Sequence, residues 1–413
     1  MKWTKKYKKR ARVTTSFLVV GMVLGICIYG GAEELPPALD TIPSNPLSGR
    51  VVFEERGCID CHDINAFGKK IGPALGGEKV FDNFYDLASR LWNHAPQMVV
   101  QAGSLEKEWP TMNRSELDGL ISFLFFLRYL GEPGNVENGQ KLLRKKTCLN
   151  CHRIGKEGAP DGISLDRLSE YASPLYTAQV IWNHGPTMQK KMIAGGISRP
   201  VFDDNDITDI SAYLREYSRG QTVKRQYMSP GNPRAGFQLF KEKGCIKCHS
   251  MVRGQSSIGP GLHSMALHRS VTAIAAKMWN HGSMMGKVME KENIRWPEFK
   301  GSEMADLIAF LYFFDYYGSP GDAKKGEQVF RAKSCIKCHG TNTGDTTVTF
   351  GKSIRLDTPN DLVRTMWNHV PYMHEVTITK NIKWPELTEK DLRDLYAYLL
   401  KWFQRNKLKR GKG

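Results

Sequence analysis

Eight of the nine cysteines in this 413-residue chain fall into four Cys-x-x-Cys pairs, and a histidine directly follows each pair. The motifs are Cys58-Ile-Asp-Cys61-His62, Cys148-Leu-Asn-Cys151-His152, Cys245-Ile-Lys-Cys248-His249 and Cys335-Ile-Lys-Cys338-His339. Two thiols at this spacing form thioethers to the vinyl groups of a haem, and the adjacent histidine reaches the iron. A single copy could equally be half of a zinc site or a redox dithiol. Four copies in one repeating frame point instead to four covalently bound haem c groups. Cys58, Cys61, Cys148, Cys151, Cys245, Cys248, Cys335 and Cys338 are then the attachment points. His62, His152, His249 and His339 are the proximal iron ligands.

A second motif follows each pair: Trp92-Asn-His94-Ala-Pro-Gln-Met98, Trp182-Asn-His184-Gly-Pro-Thr-Met188, Trp279-Asn-His281-Gly-Ser-Met-Met285 and Trp367-Asn-His369-Val-Pro-Tyr-Met373. From proximal histidine to methionine the separation is 36, 36, 36 and 34 residues. Each unit therefore offers a histidine and a methionine four residues apart as sixth ligand. Three units place a proline between them, and the residue before a proline is driven out of helical conformation. The expectation is that a helix ends near the histidine, and that Met98, Met188, Met285 and Met373 bind iron from the following loop; in the third unit Met284 is an alternative, and spacing favours Met285. His94, His184, His281 and His369 are the alternative distal ligands; otherwise they cap the helix or bond a propionate. The tryptophans are expected to wall the haems, with an indole N–H reaching a propionate. Gly72-Pro73 and Gly259-Pro260 lie eleven residues after their proximal histidines, where a carbonyl can orient the imidazole.

The elements that position these residues repeat with them. The first cysteines are 90, 97 and 90 residues apart. A glycine opens a short amphipathic stretch before each pair (Gly49 to Phe53, Gly139 to Leu143, Gly236 to Phe240, Gly326 to Phe330), and each unit closes on a helix of 3.6 periodicity such as Leu117, Leu120, Ile121, Leu124 and Leu127. The expected fold is all-α, with four small domains at 47–131, 136–219, 234–317 and 323–407. A linker at 220–233 separates the second from the third. Units one and three share Ile71-Gly-Pro-Ala-Leu75 against Ile258-Gly-Pro-Gly-Leu262, which suggests duplication of a two-haem half. The short turns within each half predict that units one and two pack together, as do three and four, with the widest gap across the linker.

Residues 1–32 read as a basic segment followed by an apolar one, and 33–46 as a proline-rich tether. Seven basic residues stand among the first twelve, which by the positive-inside rule holds the N-terminus in the cytoplasm. A retained membrane anchor is favoured over a cleaved signal peptide. Either exports the rest of the chain, to the periplasmic side of a bacterial cytoplasmic membrane or as a secreted protein. The formal net charge is +17, of which these seven supply a large part, leaving +10. Four haems would bring about eight further carboxylates. Such a mild basic balance, without the fingerprint of a reader fold, argues against nucleic-acid binding. It can still steer docking to acidic protein partners.

With these motifs in place, each unit resembles a small class I cytochrome c over about Pro46 to Lys407. That resemblance implies a membrane-anchored tetrahaem electron carrier, or the electron-transfer subunit of a larger membrane redox complex, rather than an enzyme in its own right. A haem enzyme of peroxidase or nitrite-reducing type needs an open iron site, and every unit supplies a sixth ligand. A quinol-oxidising protein and a scaffold with structural haems are further alternatives; 90 residues per haem disfavours the first.

Overall fold

The computed structural model describes residues 37–64, 70–75, 82–127, 134–166, 173–217, 231–265, 267, 270–339 and 355–410. These form a helical body within the unit Leu35–Gly413. The stretch at 1–32 and most of the linker at 220–233 lie outside the described residues. Among the described residues no helix is long and apolar enough to cross a membrane.

One helical arrangement recurs four times. A short helix (Gly49–Glu55, Val136–Lys145, Pro233–Glu242, Ala323–Ala332) leads into the Cys-x-x-Cys-His turn. A 21-residue helix follows (Phe84–Ser104, Pro174–Ala194, Val271–Lys291, Pro359–Thr379), and a terminal helix closes the repeat (Arg114–Phe126, Asp206–Tyr217, Glu303–Phe313, Glu389–Arg410). The opening glycine sits where the first and last helices cross. A methyl group on Gly236 would stand 1.9 Å from Asp306 O, and one on Gly326 1.9 Å from Asp394 O, so only glycine permits this approach.

The expected break at the proline does not occur. Pro96, Pro186 and Pro371 lie inside continuous helices. A helical proline orphans the carbonyl four residues earlier, which here belongs to Trp92, Trp182 and Trp367. Another repeat satisfies each of them: Trp384 Nε1 donates to Trp92 O (3.2 Å), Trp296 Nε1 to Trp182 O (3.3 Å) and Trp109 Nε1 to Trp367 O (3.0 Å). The penalty that would end the helix is thus offset by a tertiary bond.

These bonds belong to reciprocal clamps. Trp92 Nε1 donates to Pro385 O (2.7 Å) and stacks on Trp384, with centroids 4.4 Å apart. In return Trp367 Nε1 donates to Pro110 O (2.7 Å) and stacks on Trp109 at 4.5 Å. Each motif asparagine grips one residue of the other repeat through both backbone groups. Asn93 Nδ2 donates to Leu387 O while Leu387 N donates to Asn93 Oδ1, both at 2.8 Å. Trp182 and Asn183 clamp Pro297 and Phe299 in the same way, and Trp279 and Asn280 clamp Pro200 and Phe202.

The pairing is therefore first with fourth and second with third, which corrects the expectation that the first unit packs with the second and the third with the fourth. Each clamp still joins one unit of the first-and-third kind to one of the second-and-fourth kind, as if two duplicated halves had exchanged partners. The first and third units also meet, through Tyr312 OH donating to Phe125 O (2.8 Å) and the Tyr316 ring against Phe84 and Phe125. The supposed tether is part of this body. Residues Pro37–Thr41 are helical, Leu39 and Ile42 are fully buried, and Thr41 Oγ1 lies 2.7 Å from Tyr317 OH.

Candidate haem sites

The residue before each first cysteine (Gly57, Thr147, Gly244, Ser334) adopts a left-handed conformation, φ 73°, 60°, 79° and 62°, which stops the short helix and starts the cysteine turn. Burial pushes the thiols of Cys58, Cys148, Cys245 and Cys335 up to about 11. A redox dithiol works through a thiol lowered below its ordinary value, so that alternative has no support here. Among the described residues no three His, Cys, Asp or Glu side chains converge as a ligand cluster for a bare metal ion.

The carbonyl expected to orient the imidazole is in place. His62 Nδ1 lies 3.0 Å from Pro73 O, and His249 Nδ1 lies 3.0 Å from Pro260 O. In the second unit Ile163 O takes this role at 2.8 Å from His152 Nδ1, without a Gly-Pro pair. Eleven residues separate carbonyl and histidine in all three. The bond leaves Nε2 of each ring for an iron. The backbone passes so close that a methyl group on Gly72 would stand 2.5 Å from His62 Cε1, and one on Gly162 2.6 Å from His152 Nδ1. The corresponding loop of the fourth unit lies outside the described residues.

Across from each proximal ring stands the motif histidine. Ring centroids are 6.2 Å apart for His62 and His94, 6.3 Å for His152 and His184, 6.0 Å for His249 and His281, and 6.2 Å for His339 and His369. Burial, and then the facing imidazole, lowers His94, His184 and His281 below the ordinary histidine value; burial lowers His369. Each is thereby presented as a neutral imidazole. Met98, Met188, Met285 and Met373 lie one turn further along the same helices, half-buried, not on loops. Met188 lines a cavity of about 280 Å³ together with Cys148, Cys151, His152 and His184. Two cavities of about 80 and 120 Å³ border His249, His281 and Met285. In the third unit Met284 points outward, 63% exposed, so Met285 is the inward methionine, as its spacing requires.

The tryptophans depart from the expectation in their indole bonds and in whose slot they wall. Their indole N–H groups are committed to proline carbonyls of the paired unit, not to propionates. Trp279 walls the cavity of the second unit and Trp182 that of the third, so each encloses its partner's site. The other half of the clamp escaped the motif search. It reads Trp109-Pro110, Arg199-Pro200, Trp296-Pro297 and Trp384-Pro385, each 17 residues after the motif tryptophan. That constant spacing was available in the sequence.

A paired-thiol turn, a backbone-oriented histidine and a second ligand across an apolar slot fit a covalently attached haem. The segment 136–218 matches the family model "Cytochrome c", and 321–399 matches "Cytochrome C oxidase, cbb3-type, subunit III". Two segments of the chain are cytochrome c domains. Such domains carry covalently bound haem c and serve haem electron transfer. The Cys-x-x-Cys-His turn and the facing histidine recur with the same geometry in the first and third units, outside the matched segments. The chain is also similar to cytochrome c oxidase subunit 2 of Alkalihalophilus pseudofirmus, 28% identical over 109 residues, 25% of this chain and 31% of that protein. The chain thus spans about a third of the length of that relative. No solved structure matches the chain.

Proposed function

We propose that the chain is a tetrahaem electron-transfer protein whose four irons are each held between two histidines. The single observation that carries this reading is the separation of 6.0–6.3 Å between proximal and motif imidazoles in all four units. A metal–imidazole nitrogen bond is about 2 Å, and the nitrogen lies about 1 Å from its ring centre. Two rings on opposite sides of one iron therefore have centroids roughly 6 Å apart. On this reading His94, His184, His281 and His369 are the distal ligands. Met98, Met188, Met285 and Met373, first expected in that role, line the slot beside them.

Bound haem supplies the redox couple; the protein attaches it, fixes its axial ligands and shields it from water. With two ligands offered to every iron, no unit favours an open site for peroxidase or nitrite-reducing chemistry. The clamps bring the sites together as first with fourth and second with third, so in one of the two pairs electrons pass between units at opposite ends of the chain. The N-terminal stretch anchors the protein, with its haems on the exported side of a bacterial membrane. One of the two matched families and the similar bacterial protein are named as oxidase subunits, which favours a partner in a membrane redox complex. A mobile redox protein with an acidic docking surface is the alternative.

The test is spectroscopic. Purified protein should give four haems per chain in a pyridine haemochrome assay and low-spin paramagnetic resonance signals of bis-histidine type. Replacing His94 by Ala should convert one haem to high spin, and Met98→Ala should leave all four low-spin. The opposite pattern, or a near-infrared band of methionine ligation lost in Met98→Ala, would return the distal role to the methionines.

A further inference from the structure

The four clamp contacts are alike except one. Where the first, third and fourth units present Trp109, Trp296 and Trp384, the second presents Arg199. Its guanidinium lies over the Trp279 ring, with Cζ 3.5 Å from the centroid, and Nη2 donates to Trp279 O at 3.2 Å. The helix receiving it is also the one that lacks the proline: Ser283 stands where the others have Pro96, Pro186 and Pro371. Ser283 brings its own N–H to the helix, so Trp279 O does not depend on an indole donor. Two departures from the repeat therefore meet at one contact, and together they admit a charge where the other three contacts hold a neutral ring.

That charge is unbalanced. Arg199 Nη1 donates to Gln189 Oε1 (3.0 Å), Nε is buried without a partner, and no carboxylate among the described residues pairs with the guanidinium. Burial alone lowers it from its ordinary value to about 10. It sits where the long helices of the second and third units cross. A methyl group on Gly282 would lie 3.2 Å from Nη2, and one on Gly185 3.9 Å. Those glycines adjoin His281 and His184, the facing histidines of two different sites. In the first-with-fourth pair the equivalent crossing is closed by the fully buried Ala95 and Val370. At that interface Arg114 has carboxylates beside it, 3.7 Å from Asp361 and 3.9 Å from Asp118.

A fixed positive charge half-buried in such a crossing acts on a nearby redox centre with less screening than a charge in open solvent. Oxidation adds a positive charge to the haem, so such a neighbour opposes it. We propose that Arg199 is a potential-setting residue, raising the reduction potentials of the haems of both the second and third units and biasing electrons toward that pair. The inference rests on the four-haem, bis-histidine reading.

The experiment is a potentiometric titration of the full-length holoprotein and three variants, each first checked for haem count and low-spin character. Arg199→Gln, and Arg199→Trp, which installs the residue of the other units, should shift two of the four midpoint potentials downward and leave two in place. Arg199→Lys, which keeps the charge, should stay near wild type. Unchanged potentials in either neutral variant carrying four low-spin haems would overturn the inference alone. So would a uniform shift of all four, or a lysine variant that falls as far as glutamine. A wild-type protein with fewer than four haems would overturn the underlying reading, and this inference with it, before any variant is titrated.

Discussion

At the scale of the residue, the Trp-Asn-His-x-Pro-x-Met motif divides into two jobs. Histidine faces the proximal imidazole in every unit, and in the second and third units methionine lines the same slot. Tryptophan and asparagine face the other way and read the backbone of a different unit. A helix surface repeats every 3.6 residues, so adjacent positions cannot serve one site, and the motif's compactness hides this division. Asp118 illustrates how such an interface senses pH. Burial pushes its carboxyl up to about 6, against the opposing hydrogen bond from Asn360 (2.6 Å) and the charge of Arg114. A folded value above the ordinary 3.8 favours the protonated form. Its contribution to stability is complete below pH ~4 and is lost as pH rises through about 6. Asp118→Asn should therefore raise the melting temperature at pH 7.5, by up to about 2 kcal/mol of stability, and make no difference at pH 4. Thermal melts of both proteins across that range check the sign.

The element in question is the long helix with an internal proline. Its continuity depends on the indole that reaches the orphaned carbonyl, so the two residues should be energetically coupled. Trp384→Phe leaves Trp92 O without a donor and should cost about 1–3 kcal/mol. Pro96→Ala restores a helical N–H to the same carbonyl. In that background the Trp384→Phe change should cost less, by on the order of 1 kcal/mol. A double-mutant cycle by denaturant unfolding measures this, and additive effects would mean that the indole bond does not hold the helix. Another element end behaves alike: Phe125 O belongs to the last turn of Arg114–Phe126 and accepts from the buried Tyr312 hydroxyl. Tyr312→Phe should loosen the junction of the first and third units by about 1–2 kcal/mol.

For the whole molecule, the nested pairing makes the ends of the chain depend on each other. Deleting residues 321–413 removes the stacking and hydrogen-bond partners of Trp92, Asn93 and Trp109 while leaving the second and third units clamped together. Limited proteolysis of the truncated protein should cut first within the first unit, although the deletion begins 190 residues beyond that unit's end in sequence. Cleavage confined to the third unit, the new C-terminal neighbour, would contradict the pairing. In the second and third units the sites that share a clamp also share a wall, since Trp182 encloses the third site and Trp279 the second.

What the sequence determined by itself is whatever local spacing encodes. The Cys-x-x-Cys-His turns, the short helices that open on a glycine, the helical class and the carbonyl eleven residues after His62 and His249 all follow from short-range geometry, and all were legible before any fold was known. The inward choice of Met285 over Met284 came from spacing too. Tertiary structure decided the rest, because each remaining question concerned a partner distant in the chain. Whether Pro96 ends a helix depends on a donor 288 residues away, at Trp384. Whether histidine or methionine faces the proximal ring depends on that helix continuing. Which units pair depends on Trp-Asn finding Pro-x-Leu, Pro-x-Met or Pro-x-Phe in a unit that chain order does not indicate. A repeat shows that four units are alike; only packing selects, among like surfaces, the two that meet.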